Sequence, residues 1–326
     1  MTGMNDRETR ELAPWGRLEP GVRGDSRISV SIGPGGELVA LWSAASDVDA
    51  FLAMTTDPGG ARFPDPRTPR PVTARVTVQT PDSRLLVRLT DVPLAYPSVQ
   101  PMPDGHLLLV GSRARWRPEG ADRNAILYDS AGNAVAEATL GDGIQHVMTT
   151  GEGKIWAGYF DEGVYGNYGW GFEGPEPLGA AGLVRYTPEL RRDWSFPLNH
   201  EQFDGIDDCY ALNVDGETAW VCYYADFPVA RIRDGVVKFW ENDVAGAKAI
   251  AVADDVIAFC GGYSPHYDRL VLARLGDDRT RITGEYRLTL PGGEPIPAGS
   301  ALIGRGSALH VVTEDTWYRL DITHPL

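Results

Sequence analysis

The sequence predicts an all-β protein, a single six-bladed β-propeller, on three observations. Its 38 glycines and 24 prolines interrupt the chain so often that no amphipathic helical pattern persists. A hairpin pattern, in which two half-apolar strands flank a tight turn, recurs six times. The turns of these hairpins lie 39 to 69 residues apart, the range of a four-stranded blade with variable loops. We therefore expect one propeller domain over residues 1–326.

Each repeated hairpin is predicted to supply the two inner strands of a blade. The six blades are expected to start near residues 28, 97, 145, 207, 247 and 299. The turns align on Gly36, Gly105, Gly153, Gly216, Asp255 and Gly306. Because glycine adopts positive φ without a Cβ clash, these positions favour two-residue hairpin turns of type I′.

Outer strands are predicted after each of the first five inner hairpins. They are 74–80 with 84–90, 125–129 with 134–140, 184–186 with 193–198, 229–233 with 236–240, and 269–275 with 280–290. The sixth blade has only 317–322 left, so the segment Ala13–Leu18 is expected to complete it and to tie down the N-terminus. Residues 44–72, with five prolines from Pro58 to Pro71, and residues 161–182 are predicted to be inserted loops.

The charge and hydropathy of the chain exclude two classes of partner. Its formal net charge of −15 would repel a phosphate backbone, which predicts that it does not bind nucleic acid. The densest basic stretch, Arg113, Arg115 and Arg117, is short and is expected to be a solvated loop. No stretch approaches the ~20 apolar residues that span a bilayer, so no membrane association is expected.

The cysteine usage and the charged N-terminal segment favour the cytoplasm. Three cysteines in so long a chain do not form a disulfide framework. If Asp215 and Gly216 form a two-residue turn, Cys209 lies opposite Cys222. A cross-strand disulfide is conceivable there, but buried reduced thiols are expected in the cytosol.

Two segments of the third blade resemble known propeller repeats. GKIWAGY (Gly153–Tyr159) and GLVRYTPE (Gly182–Glu189) are similar to the repeat of regulator-type and NHL-like propellers. A six-bladed ring is also similar to the gluconolactonase-like and virginiamycin-lyase-like groups. The lactonase resemblance implies a divalent metal over the central channel, held by a glutamate at the first inner strand. Here that strand begins Ser26, Arg27, Ile28 and Ser29, without a carboxylate.

The binding site is expected on the face that carries the loops before each first strand and those between second and third strands. The opposite face has short turns with little chemistry. The loop from Asp161 to Gly182 stands out for its glycines and aromatics, which suit a flat ligand, although a packed Ω-loop would have the same composition. The ligand-binding candidates are Trp116, Glu162, Tyr165, Tyr168, Trp170, Asp204, Tyr224 and Tyr263.

Two functions stay open. The first is a propeller that binds a small molecule, a glycan or a peptide segment on this face. The alternative is a lyase, hydrolase or isomerase that acts on a small polar or secondary-metabolite substrate. Its acid/base candidates are His146, Asp161, Asp207 and His266. Asp207 and Asp208 are candidate Ca²⁺ ligands, or they simply satisfy turn N–H groups.

Overall fold

The computed structural model describes residues 8–56, 59–172, 174–199 and 203–323. Six sheets follow one another along the chain, and each has the up-and-down strand order of a propeller blade. The chain is therefore an all-β, six-bladed β-propeller, as the sequence predicts.

The strands follow the predicted order, with two N-terminal strands before the first blade. The N-terminal strands are β1 (Glu8–Glu11) and β2 (Ala13–Arg17). Blade 1 consists of β3 (Asp25–Ile32), β4 (Leu38–Ala44), β7 (Arg67–Gln79) and β8 (Arg84–Leu94), with the small hairpin β5 (Met54–Thr56) and β6 (Arg62–Pro64) inserted between β4 and β7. Blade 2 consists of β9 (Pro97–Pro101), β10 (Leu107–Gly111), β11 (Ala125–Tyr128) and β12 (Ala134–Ala138). Blade 3 consists of β13 (Ile144–Thr149), β14 (Ile155–Tyr159), β15 (Leu183–Tyr186) and β16 (Arg192–Ser195).

The last three blades repeat the pattern. Blade 4 consists of β17 (Asp208–Asp215), β18 (Thr218–Tyr224), β19 (Val229–Arg233) and β20 (Val236–Trp240). Blade 5 consists of β21 (Ala249–Ala253), β22 (Val256–Cys260), β23 (Arg269–Leu275) and β24 (Thr280–Thr289). Blade 6 consists of β25 (Ala301–Arg305), β26 (Ala308–Val312) and β27 (Thr316–Asp321), to which β2 is added. Two short helices, α1 (Val48–Phe51) and α2 (Asp161–Tyr165), lie in loops.

The chain divides into two compact units. The first unit is Pro20–Cys209 and the second is Met1–Glu19 with Tyr210–Leu326. In the first unit, alternating apolar residues of blades 1 and 2 form one core that includes Val39, Leu89 and Leu109. In the second unit, blades 5 and 6 share a core, and a further core lies under blades 4 and 5.

The N-terminal segment completes the last blade, as predicted. Strand β2 pairs antiparallel with β27, and Leu18 N–H donates to Asp315 O at 2.8 Å. Strand β1 makes an addition that the sequence did not predict, a parallel fifth strand on the edge of β24 in blade 5. Between them, Leu12 is buried in the core of the second unit.

Three of the six inner turns differ from the predicted two-residue form. In blades 1 to 3, the pairs Gly33–Glu37, Met102–His106 and Thr150–Lys154 close three-residue loops through backbone hydrogen bonds of 2.8–2.9 Å. The last residue of each loop is a glycine with φ between 73° and 84°. Each of these glycines therefore closes a three-residue loop from the left-handed region rather than a type I′ turn, and in blade 2 the preceding Asp104 also has a positive φ of 58°.

Three further observations concern the segment 44–72, the cysteines and the helices. Residues 44–72 contain α1, the hairpin β5–β6 and the first residues of β7. All three cysteines are free and buried. Within the residues that the structure describes, no helix has the length and apolar character needed to cross a membrane.

Candidate functional site

A cleft of about 360 Å³ opens among three loops of the first unit. Each loop connects the second and third strands of a blade, so the three come from blades 1, 2 and 3 in turn. The lining residues are Thr55, Thr56 and Phe63 of blade 1, Arg115 and Trp116 of blade 2, and Asn167, Tyr168 and Gly169 of blade 3. For these blades, the loops expected to share a face do meet.

Hydrogen bonds between the three loops fix the shape of the cleft. The hydroxyl of Tyr168 donates to Pro64 O at 2.5 Å, which links the loops of blades 3 and 1. Trp116 N–H donates to Tyr168 O at 2.9 Å, and the indole N–H of Trp170 donates to Ala114 O at 2.7 Å. The ring of Tyr168 is thus fixed at its hydroxyl, and its backbone is tied to that of Trp116.

A glycine allows the loops of blades 2 and 3 to come this close. Gly169 has a φ of +89°, and a Cβ added there would lie 2.6 Å from the carbonyl oxygen of Trp116. The glycine-rich composition of the loop 161–182 therefore serves a close backbone approach beside the cleft.

A buried arginine lies beneath the cleft, where the sequence predicted a solvated loop. Arg113 is only 5 % exposed, so that prediction is wrong for this residue. Its Nη2 lies 2.9 Å from Asp142 Oδ2 and 2.5 Å from Glu162 Oε2. Its guanidinium also lies 4.3 Å from the ring centroid of Tyr168. Burial of the cation is tolerated because two carboxylates and an aromatic face surround it.

Asp142 is the buried member of this charged group. Its Oδ1 accepts the N–H of Ala114 at 2.9 Å. Burial raises the pKa of Asp142 to about 6, and the positive charge of Arg113 opposes that shift. Asp142 thus fixes the start of the loop that carries Arg115 and Trp116.

The three arginines of this loop have different surroundings. Arg113 is ion-paired as described, and Arg117 Nη1 lies 3.0 Å from Asp122 Oδ1. The guanidinium of Arg115 lies 5.2 Å from the ring centroid of Tyr168, on the cleft wall. Among the described residues, no carboxylate forms an ion pair with the Arg115 side chain.

Four of the predicted binding residues of the first unit line the cleft or support it. Trp116 and Tyr168 line the cleft. Glu162 and Trp170 support it, through Arg113 and through Ala114.

The remaining candidates of the first unit lie outside the cleft lining. The hydroxyl of Tyr165 donates to Asp207 Oδ1, and this hydrogen bond raises the pKa of Tyr165 to about 12. Asp161 is exposed and accepts the N–H of Glu162 at 2.7 Å. Three more candidates lie on or before strands: His146 half-buried on β13, Asp204 exposed before β17, and Asp208 at its first position.

The second unit contains the other predicted candidates in an aromatic cluster. Tyr210, Tyr224, Phe227 and Tyr263 pack with ring centroids 5.1–6.5 Å apart. The hydroxyls of Tyr210 and Tyr263 are 2.9 Å apart, and Lys248 Nζ lies 4.3 Å from the Tyr210 ring centroid. The backbone N–H of His266 donates to Tyr263 O at 2.7 Å, which places this histidine beside the cluster.

Sequence reasoning missed several residues of the cleft. Thr55, Thr56 and Phe63 lie in the segment 44–72, which the sequence predicts to be an inserted loop. Asn167 lies in the loop 161–182, where the aromatic residues are the more prominent candidates. Asp142 follows a glycine at a strand end, where aspartate is common. No local signal marks it as the partner of an arginine 29 positions away.

The calcium site stays a prediction. Among the described residues, no three His, Cys, Asp or Glu side chains are grouped as metal ligands would be.

Comparisons with known proteins give a local family match and several distant structures. A family model described as the YxzG family matches residues 197–269. A search of curated protein sequences finds no match. Among solved structures, a catalytically inactive virginiamycin B lyase from Staphylococcus aureus, in complex with quinupristin, has 11 % identity and a TM-score of 0.41, over 93 % of this chain and 98 % of that one.

Two further structures match at similar levels. Apo AztD from Citrobacter koseri has 10 % identity and a TM-score of 0.42, over 90 % of this chain and 83 % of that one. YCF48 from Cyanidioschyzon merolae has 11 % identity and a TM-score of 0.44, over 96 % of this chain and the whole of that one.

Proposed function

We propose that this propeller binds a small organic ligand with a flat ring, a sugar or an aromatic compound, in the cleft of the first unit. The observation that carries the proposal is the set of three aromatic side chains, Phe63, Trp116 and Tyr168, around a volume of about 360 Å³. Cavities of roughly 300–1,000 Å³ lined by aromatic faces and a few polar groups are the usual form of small-molecule sites.

The polar groups of the lining suit a ligand with hydroxyl or carbonyl substituents. Thr55 and Thr56 offer hydroxyls, Asn167 offers an amide, and Arg115 offers up to five N–H donors. Ring stacking supplies contact area at low conformational cost, while these groups give orientation. A peptide segment would need a longer groove than this volume provides.

The rigidity of the cleft favours binding, because a preformed site loses little freedom when it is filled. Tyr168 is held at its hydroxyl by Pro64, at its carbonyl by Trp116, and on its ring face by Arg113. The stacking surface therefore exists before a ligand arrives.

The test is a thermal-shift screen of small ring compounds, followed by titration of the wild type and two variants. A ligand at 100 times its Kd should add about 2.7 kcal/mol to the free energy of unfolding. Trp116→Ala should weaken the binding of any hit about tenfold or more. Tyr224→Ala, which changes an exposed aromatic of the second unit, is the matched control and should leave binding unchanged. Equal affinities for the wild type and Trp116→Ala would place the ligand elsewhere and refute the proposal.

A further inference from the structure

Arg115, on the cleft wall, has no carboxylate partner among the described residues. In the run Arg113–Arg117, the first and last arginines are ion-paired, with Asp142 and Glu162 and with Asp122 respectively. Arg115 lines the cleft between them, with its guanidinium near the ring of Tyr168. The backbone N–H of Arg115 donates a hydrogen bond to the carboxylate of Asp122. No carboxylate of the described residues forms an ion pair with its guanidinium.

This arrangement contrasts with the charge of the protein. The chain carries 45 acidic residues against 30 lysines and arginines, so carboxylates are abundant as partners. Among the described residues that line the cleft there is nevertheless one arginine and no acidic side chain. Arg115 therefore places one positive charge, without a carboxylate partner among the described residues, on the cleft wall of a protein of net charge −15, and this charge attracts an anion.

The shape of the Arg115 guanidinium indicates which class of anion it would bind. A guanidinium is a planar fork that matches a carboxylate through two parallel N–H···O bonds. The three aromatic faces of the cleft accommodate a ring beside that fork. A ring compound with a carboxylate substituent satisfies both features at once, whereas a cationic ligand would meet Arg115 without a counter-charge.

We propose that the ligand of this cleft is a carboxylate-bearing ring compound, and that Arg115 binds the carboxylate while the ring stacks on Trp116 and Tyr168. This inference rests on the proposed function and adds the charge of the ligand to it. The carboxylate can belong to a uronic acid sugar or to an aromatic acid, and the experiment separates these two sources.

The experiment compares acids with their neutral counterparts by isothermal titration calorimetry. The pairs are 4-nitrophenyl β-D-glucuronide with the glucoside, indole-3-acetate with indole-3-acetamide, and benzoate with benzamide. We expect at least one acid to bind about 10-fold to 100-fold more tightly than its neutral partner, the range of a charged hydrogen bond. The pair that shows the preference identifies the source as a sugar or an aromatic acid.

Variants then assign the preference to one side chain. Arg115→Gln should abolish the preference, so that the acid and its neutral partner bind the variant with equal affinity. Arg117→Gln removes the same charge from the same loop but from a residue paired with Asp122, so it should keep the preference.

The possible failures are distinguishable. If a neutral compound binds as tightly as its acid, the inference about charge is wrong and the proposed function stands. If the preference survives in Arg115→Gln, the carboxylate is bound by another group. If no acid and no neutral ring compound binds, both this inference and the proposed function fail.

Discussion

Two buried polar groups, one in each unit, are stabilised in opposite ways. Beneath the cleft, Arg113 and Asp142 are buried as an ion pair. In blade 6, His310 is buried in the neutral form, and its Nδ1 accepts the indole N–H of Trp317 at 2.9 Å. Burial lowers the pKa of His310 to about 3, with Arg319 and Arg305 acting in the same direction and Asp321 opposing them.

The difference follows from how much water reaches the polar groups of the cleft and of blade 6. The loops of blades 1 to 3 approach one another to form a cleft, and a charged group tolerates the partial access to water that a cleft brings, since Glu162 is 37 % exposed. His310 lies buried within the sheet of blade 6. Burying a charged imidazolium there would cost more free energy than burying a neutral imidazole that accepts a hydrogen bond. The candidate site and the sheet of blade 6 thus differ in how their buried polar groups are stabilised.

The largest expected effect comes from removing β2, the strand that pairs with β27, on which Trp317 lies. Deletion of residues 1–18 takes away β2 and the buried side chains of Leu12 and Leu18. Each buried leucine is worth about 2–5 kcal/mol, so we expect the free energy of unfolding to fall by about 5 kcal/mol or more in urea titrations. Deletion of residues 1–11, which keeps both leucines and β2, is the control and should cost much less. Equal losses in the two deletions would show that β2 does not stabilise the blade.

The second-largest expected effect comes from breaking the buried ion pair between Arg113 and Asp142. Arg113→Met leaves Asp142 buried without its cation and should lower the free energy of unfolding by about 3–5 kcal/mol. The double variant with Asp142→Asn should recover part of that loss, because the carboxylate that remains, Glu162, is 37 % exposed and not fully buried. Arg117→Met removes a half-exposed partner of Asp122 and should cost less than about 1 kcal/mol. A loss at Arg113 no larger than at Arg117 would mean that the buried pair does not stabilise the loop.

Local patterns in the sequence were enough to predict the blades but not the ion pair beneath the cleft. The alternation of apolar and polar residues in the strands that flank Gly36 and Gly306 depends on residues adjacent in the chain. The need for a further strand in blade 6 follows from the number of strands that the repeats predict. The contacts of Arg113 depend on which loops meet, and Asp142 and Glu162 lie 29 and 49 positions away. Phe63 lies in a proline-rich stretch whose small hairpin has no clear alternation. Long-range loop contacts leave no periodic trace in a single sequence.

The smallest effect is the pH dependence of stability, which should have opposite signs for the two buried groups. His310 has a folded pKa of about 3 and an unfolded value near 6.5, so only the unfolded chain takes up its proton as the pH falls below 6.5. Stability is then lost at about 1.4 kcal/mol per pH unit, or about 2 kcal/mol between pH 6.5 and pH 5.

Asp142 has a folded pKa of about 6 against about 3.8 when unfolded, so the folded state takes up its proton first. Its contribution therefore rises as the pH falls from 6 towards 4, and it is lost again as the pH rises through 6. Urea titrations between pH 5 and pH 7 should show a shallower acid loss for His310→Asn and a steeper one for Asp142→Asn than for the wild type. Parallel profiles for all three proteins would mean that neither buried group controls stability in this range. A change of slope in the same direction for both variants would contradict the assignment of a neutral histidine in one unit and a charged aspartate in the other.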